Sequence, residues 1–509
     1  MASAAAKIIQ KSVPTTDNSF SFKVEDRGSL ELVIAFVGPV GSGVTTASDI
    51  LINQLRDNFG YGVEYIKMSA LIKEYSTEVG ETIADNLDAN ERIERYQQVG
   101  NKLRQQKGGH YLVDRAIEKI ALSRISNDGF VKVENGVDVA IQKRSAYIID
   151  SIKNPAEVER LKNIYGDLFW LVTVFAPHNV RERRLKSMGL DDLIAGKVMK
   201  KDQDEEKDFG QKVSKTAHLA DYFIRNHKDT KSSVVSAVER FLEVVFSTKL
   251  HTPTFEEQGM MKAAAAGIQS ACLSRQVGAA IFSKDKELLG VGCNDVPKAG
   301  GGLYNESMGE NDNRCFKWGG NVCHNDERKS KMARNIARSV NYDKDDTNDV
   351  FGKTFNAVTS SEAKNLIEFS RSVHAEMEAI VSIARAGTGS TINGTLFTTT
   401  FPCHNCARHI VAAGITKVVF IEPYSKSLAL DLHHDAISMS EETGKVHFLQ
   451  YEGFSPQVAI RIFSSVGRDR KQGGKFVAPP ARSAKPLFPF PLDSYINSER
   501  LIVQQLTVK

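Results

Sequence analysis

No stretch of the 509-residue sequence approaches the roughly 18 uninterrupted apolar residues that a membrane-spanning helix needs. The opening MASAAAKIIQKSVPTTDNSF has no apolar run long enough for a secretion-signal core, so a cytoplasmic protein with no membrane partner is expected. Charge of one sign is also scarce. The 66 Lys and Arg against 62 Asp and Glu leave +4, too small a surplus to argue for nucleic acid by itself. Cysteine is absent before Cys272. Cys272, Cys293, Cys315, Cys323, Cys403 and Cys406 cluster in the second half, and in a large chain without export signals this favours metal ligation or catalysis over disulfides. With 41% apolar and 25% charged residues, the chain is neither disordered nor collagen-like nor a disulfide-rich miniprotein, and its length predicts two or three domains. It carries no internal repeat.

Residues 1–28 are small and polar and read as a flexible tail. Glu31–Val37 reads as a buried strand that runs into a glycine-rich turn and then a helical pattern from Ala47 to Leu55. Further strands, Ala146–Asp150 and Leu168–Phe175, alternate with helical stretches around 91–121 and 155–164. That alternation predicts a parallel sheet covered by helices over 29–250. The pattern restarts after Pro253 as a helix (Glu256–Cys272), a hairpin (Val277–Phe282 and Leu288–Gly292), a long polar segment over 297–370, then helices and strands through 421. A second α/β domain is expected over 251–470. Five of the 14 prolines fall within 479–491, which can continue neither helix nor central strand, so 471–509 reads as a Pro-rich C-terminal extension.

His374-Ala-Glu376 and Pro402-Cys403-His-Asn-Cys406 carry the chemistry. Two cysteines three apart at a helix start can grip one metal ion, and the helix N-terminus favours their thiolates. His374 can supply a third ligand. Three protein ligands leave a tetrahedral zinc one position for water, which becomes available as hydroxide near neutral pH. Glu376 lies beside that position, where it can move protons from water to a base and to departing ammonia. The arrangement H-x-E…P-C-x-x-C is the signature of zinc nucleobase deaminases, whereas a lone C-x-x-C would read as a structural knuckle.

Gly38-Pro-Val-Gly41-Ser-Gly43-Val44-Thr45-Thr46 fits the phosphate-loop pattern G-x-x-x-x-G-K-[ST] except that Val44 replaces the lysine. Loop amides and the helix start could still hold phosphate, and Thr45, with Asp150 as its partner, could still reach Mg2+. Without the lysine, most phosphoryl transfer is expected to be lost. A regulatory nucleotide site is the preferred reading; a scaffold that binds nothing is the other.

Residues 255–425 resemble the cytidine and deoxycytidylate deaminase superfamily through these motifs together with Ser274-Arg-Gln-Val-Gly-Ala279 and Gly292-Cys-Asn294…Pro297. The resemblance implies that Asn294 holds the sugar or base and that the Ala375 backbone reads the cytosine edge. Cys293 departs from the tyrosine usual there. It further implies a second structural zinc on Cys272, Cys315, Cys323 and His324; the alternative is an ordinary buried Cys272 with the others unpaired. Arg275, Lys298 and Arg371 lie near the motifs and could meet substrate phosphates, although such residues are more often simply solvated. The first domain is similar to nucleoside monophosphate kinases and dephospho-coenzyme A kinase, through Ile149-Asp150…Asn154-Pro-Ala-Glu-Val158, Ala176-Pro177…Arg181-x-x-Arg184 and Ala220-Asp-Tyr-Phe-Ile-Arg-Asn226.

The fold class expected is therefore α/β, a P-loop kinase-like parallel-sheet domain followed by a cytidine deaminase-like α/β/α domain. The whole resembles the bacterial anti-phage deoxycytidylate deaminases of the AvcD type. That resemblance implies zinc-dependent hydrolytic deamination of dCTP and dCMP to dUTP and dUMP, which depletes dCTP during infection. It also implies a regulatory deoxynucleotide such as dTTP, a small RNA antitoxin as a partner, and a homo-oligomer. Competing expectations are a housekeeping dCMP deaminase for dTMP synthesis, an RNA- or DNA-editing deaminase using the basic residues after 461, and a non-enzymatic, nucleotide-sensing toxin whose zinc is only structural.

Overall fold

The computed structural model describes residues 27–132, 138–203, 210–227, 230–341, 346–424, 426–465, 471, 473–488 and 490–508. Residues 1–26 of the expected tail lie outside the described residues. The chain forms two compact units, Met1–Pro253 with Glu452–Lys509, and Thr254–Tyr451. Among the described residues no helix is long and apolar enough to cross a membrane.

In the first unit, Leu32–Val37 is buried on both faces, as an apolar six-residue run must be in the middle of a covered sheet. It pairs in parallel with Ser145–Asp150 on one side and Phe169–Phe175 on the other, and Gly62–Lys67 and Tyr222–Arg225 extend the sheet, also in parallel. Helix Val44–Asp57 leaves the glycine turn at the carboxyl end of the first strand. The short strand Gly453–Phe454 adds an antiparallel edge to Tyr222–Arg225.

The C-terminal boundary differs from the expected domain over 251–470 and separate extension over 471–509. Everything from Glu452 onward joins the first unit. The prolines prevent regular pairing, but backbone groups in and beside the segment tie it to the first unit. Ser29 donates to the Phe490 carbonyl, Leu492 to Arg27, and Leu487 to Val245. Beyond Pro491 a helix does form, Leu492–Val508, and it packs on helix Tyr111–Ser126.

The second unit starts at helix Phe255–Gly267, opened by a capping box in which Thr254 and Glu257 satisfy each other's backbone amides. Its six-stranded sheet runs Ile437–Ser438, Val446–Gln450, Lys417–Glu422, Thr395–Thr400, Gly278–Phe282, Leu288–Cys293. Only the last two strands are antiparallel to their neighbours. Inside the polar 297–370 segment two helices form that the sequence reading did not place, His324–Val340 and Asp349–Ser360. Of the first only Ala333 and Ala337 are buried, and of the second no residue is. They pack on each other, and the helical apolar period that each carries is set among so many charged and polar residues that the segment as a whole reads as a polar insertion.

Candidate active site and phosphate loop

His374 is the N-cap of helix Ala375–Ala386, and Cys403 is the N-cap of helix His404–Ala412. Both helices pack on the sheet of the second unit. The residue before the histidine is anchored, since the Val373 amide donates to the Asp295 carbonyl. Asp295 is itself buried and accepts from the Ala271 amide. Strand Leu288–Cys293 comes close beneath the His374 helix at Gly292. A Cβ there would stand 2.3 Å from the Ala375 carbonyl oxygen and 2.5 Å from the Ala379 nitrogen.

These anchors bring His374 Nδ1 to 3.4 Å from Cys403 Sγ and 3.3 Å from Cys406 Sγ. All three ligand atoms lie within 4.8 Å of one another, a separation that one tetrahedral zinc can bridge. The donor set also suits zinc, with two sulfurs and one imidazole nitrogen. The hydrogen bond shared with Cys406 and the neighbouring His374 hold the Cys403 thiol below its ordinary range, whereas Cys406 is pushed up. Glu376 is 4% exposed and accepts from Cys406 Sγ at 3.4 Å. Burial pushes its carboxyl above the usual range, with His374 opposing. It is therefore placed beside the triad without being part of it.

The cluster opens on a cavity of about 380 Å³, and Asn294, Ala375 and Glu376 line it. The Asn294 side chain accepts from the Val277 amide at 2.7 Å and donates to the Arg275 carbonyl at 2.7 Å, so it also fixes the segment that forms one wall. Cys293 is buried and pushed up to about 11 by desolvation, which makes it a neutral thiol. Cys272, Cys315, Cys323 and His324 reach the same cavity, but no three of them gather their ligand atoms within 4.8 Å. His324 instead contacts Glu327 at 3.2 Å and the Trp318 carbonyl at 3.4 Å.

Arg275 and Arg371 line the cavity; Lys298 does not, because it sits in a turn closed by its own amide on the Gly302 carbonyl. The sequence reading missed three further cations on the wall, Lys329, Lys364 and Lys426. The first two come from the polar insertion, where no motif flags an individual lysine.

In the first unit Gly38, Gly41, Gly43, Val44, Thr45 and Thr46 line a second cavity of about 420 Å³. Thr45 Oγ1 donates to Asp150 Oδ2 at 3.2 Å, so both halves of the expected pair meet. Gly43 has φ +92°, a left-handed conformation that favours glycine, and a Cβ there would lie 2.3 Å from Asn226 Nδ2. The amides of Gly41, Gly43, Val44 and Thr45 make no hydrogen bond among the described residues. Their donors are thus available to an anion, as in a phosphate cradle.

Residues 253–422 match the family described as "Cytidine and deoxycytidylate deaminase zinc-binding region". The chain is 25% identical over 238 residues to a UPF0200/UPF0201 protein of Archaeoglobus fulgidus, covering 45% of this chain and 63% of that one. It is 45% identical over 56 residues to the deoxycytidylate deaminase of Enterobacteria phage T2, covering 11% of this chain and 29% of the relative. The chain therefore spans less than two thirds of the length of these curated relatives. Among solved structures, the dCMP deaminase of cyanophage S-TIM5 in complex with dCMP and dUMP matches with 20% identity and a TM-score of 0.23, over 40% of this chain and 99% of that one. The chain carries a cytidine and deoxycytidylate deaminase zinc-binding domain in its second half and a region homologous to a UPF0200-type protein in its N-terminal half.

Proposed function

We propose that the second unit deaminates cytosine deoxynucleotides, dCTP and dCMP, to dUTP and dUMP, and that the phosphate loop of the first unit is a regulatory nucleotide site, with a deoxynucleotide such as dTTP as its ligand. The observation that carries the first reading is a single cavity with the His374, Cys403, Cys406 cluster and buried Glu376 at one end and five cations on its walls, Arg275, Lys329, Lys364, Arg371 and Lys426. A nucleobase fits the first end, and a phosphate chain fits the cations.

His374, Cys403 and Cys406 would hold zinc, which supplies hydroxide at neutral pH. Glu376 is the proton carrier. Its carboxylate takes a proton from the water that adds to C4 of cytosine and delivers it to N3. A second transfer to the amino group lets ammonia leave as the C4 carbonyl forms. The Ala375 amide, in the first turn of its helix, is free of intrahelical bonding and reads the base edge. Burial of Glu376 keeps bulk water from competing for these transfers.

The resemblance to AvcD-type enzymes supports a role in depleting dCTP during phage infection, with a small RNA antitoxin and a second copy of the chain as partners. The four open amides of the loop, together with Thr45 and Asp150, support the nucleotide site and would also accommodate Mg2+.

Product analysis tests the activity. Zinc-loaded protein is incubated with dCTP, dCMP, CTP, cytidine and a cytosine-containing oligonucleotide, alongside Glu376→Gln. Uracil product from the deoxynucleotides, reduced at least about 10³-fold in the variant, is expected. Product from the oligonucleotide alone would make the protein an editing enzyme and overturn this reading.

A further inference from the structure

Five cations share the cavity of the His374 cluster, but their charges are not equally committed. Arg275 lies 3.3 Å from the Glu422 carboxylate. Lys329 stands 2.8 Å from Asp326 and donates to the Lys364 carbonyl at 3.2 Å. Lys364 and Lys426 are exposed, and among the described residues no hydrogen bond or ion pair fixes either ammonium. Arg371 differs from all four. Its guanidinium carbon stands 4.0 Å from the centre of the Trp318 ring, and its NH1 donates to the Asn313 carbonyl at 3.1 Å. One more hydrogen bond goes to the Cys315 thiol. Among the described residues no carboxylate pairs with it, so it is held in place without being neutralised.

The platform under Arg371 is itself anchored. The Trp318 amide donates to the Arg314 carbonyl at 3.0 Å. Arg314 is buried, with its guanidinium 2.7 Å from Asp312 and 3.8 Å from Asp295. The Asp295 carbonyl accepts from the Val373 amide, two residues past Arg371. Arginine and tryptophan are thus tied to one buried hub, and moving one from the other would break an ion pair that is costly to open. A guanidinium carries five N–H donors in a rigid fork, and a ring against one face leaves its edges usable. With Asn313 and Cys315 served, the other donors have no partner among the described residues. Arg371 precedes His374 by three residues, so their Cα atoms are at most roughly 11 Å apart, the scale of one nucleoside.

We propose that Arg371 binds the phosphate attached to the substrate's sugar, and that Trp318, from the polar insertion, is the positioning residue that holds it ready. The proposal rests on the reading of the cavity as a deoxynucleotide deaminase site. A loose lysine loses rotamer freedom when it meets a phosphate, whereas Arg371 is ordered beforehand by the ring and the Asn313 carbonyl. The short spacing to His374 assigns it the first phosphate rather than those further along a polyphosphate.

The test compares dCMP, dCTP and the phosphate-free substrate deoxycytidine on the full-length, zinc-loaded protein. Arg371→Met is expected to raise KM for dCMP and for dCTP about 10- to 100-fold, the range for a charge-assisted phosphate contact, and to shrink the preference for dCMP over deoxycytidine by the same factor. Trp318→Leu should raise the same KM about 3- to 10-fold with the loss in KM rather than kcat, and Trp318→Phe, which keeps an aromatic face, should recover most of it. Binding gives a readout independent of turnover. The chain has two tryptophans, and Trp170 is 4% exposed against 47% for Trp318. Emission from Trp318 should respond to dUMP and not to deoxyuridine, and the response should vanish in Arg371→Met. If Arg371→Met does not fold, the parent decides alone, because dUMP that binds by calorimetry without altering this emission overturns the proposal. An Arg371→Met enzyme with the parent's KM for dCMP, or one that loses deoxycytidine equally, overturns it and leaves deamination standing. A loss confined to dCTP would put Arg371 on a later phosphate and overturn it too. If the parent deaminates none of the three, the deaminase reading is wrong and the proposal falls with it.

Discussion

Cys403 and Glu376 line the same cavity but would fail differently when changed. Cys403→Ser replaces a soft sulfur in a two-sulfur, one-nitrogen set, so both bound zinc and turnover should be lost, as metal analysis of the purified variant would register. Glu376→Gln keeps the shape of the side chain and leaves all three ligands in place. Zinc content should stay at the parent's level while deamination disappears. A variant that lost zinc as well would place Glu376 in the metal set and remove it from proton transfer. These residues were legible in the sequence because spacing within a helical turn, and between a histidine and an acid two positions on, constrains side-chain placement locally. Lys329, Lys364 and Lys426 were not legible, because a lysine on a cavity wall looks like any surface lysine until the chain is folded.

At the scale of elements, the active helix is set by what lies beneath it. Gly292 lets strand Leu288–Cys293 approach helix Ala375–Ala386 so closely that an added methyl would stand 2.3 Å from a backbone oxygen. Gly292→Ala is expected to cost about 1–3 kcal/mol in stability by overpacking. Its effect on kcat should be larger, about 10²-fold, because the displaced helix carries Glu376 and begins at His374. A Tm and kcat that both match the parent's would mean that the helix is held elsewhere. The strand–turn–helix order around the phosphate loop and the hairpin before Gly292 could be read from period and glycine alone. The helices His324–Val340 and Asp349–Ser360 carry a helical apolar period of their own, Met332, Ala333, Ile336, Ala337 and Val340 in the first and Phe351, Phe355 and Val358 in the second, but the charged and polar residues around it make the segment read as an irregular insertion.

At the scale of the whole molecule, the last residues complete the first unit. Arg124 bonds Glu31 at 2.7 and 2.9 Å and Glu499 at 3.1 Å, and all three side chains are almost wholly buried. Arg124→Met would leave two buried carboxylates facing each other without their cation. A loss of about 3–5 kcal/mol is expected, visible as a lower denaturant midpoint. Burial pushes the Glu499 carboxyl above its ordinary range, although Arg124 opposes this. Between the ordinary value and the raised one, the folded chain keeps a proton that the unfolded chain gives up, so this group's contribution to stability falls as pH rises through that window. Glu499→Gln removes the titration, and its Tm relative to the parent should climb as pH is raised from about 4 to 7; parallel pH–Tm curves would contradict this. The sequence by itself determined the His374, Cys403 and Cys406 set, the glutamate two positions past the histidine, the glycine-rich turn after the first strand and the α/β class, because each depends on contacts within a few residues or on a repeating local pattern. Only the tertiary structure decided that the proline-rich tail and its helix close the first unit, that Arg371 lies against the Trp318 ring, and that five cations share a cavity with the His374 cluster. These are pairings between residues far apart in the chain, and local spacing holds no record of them.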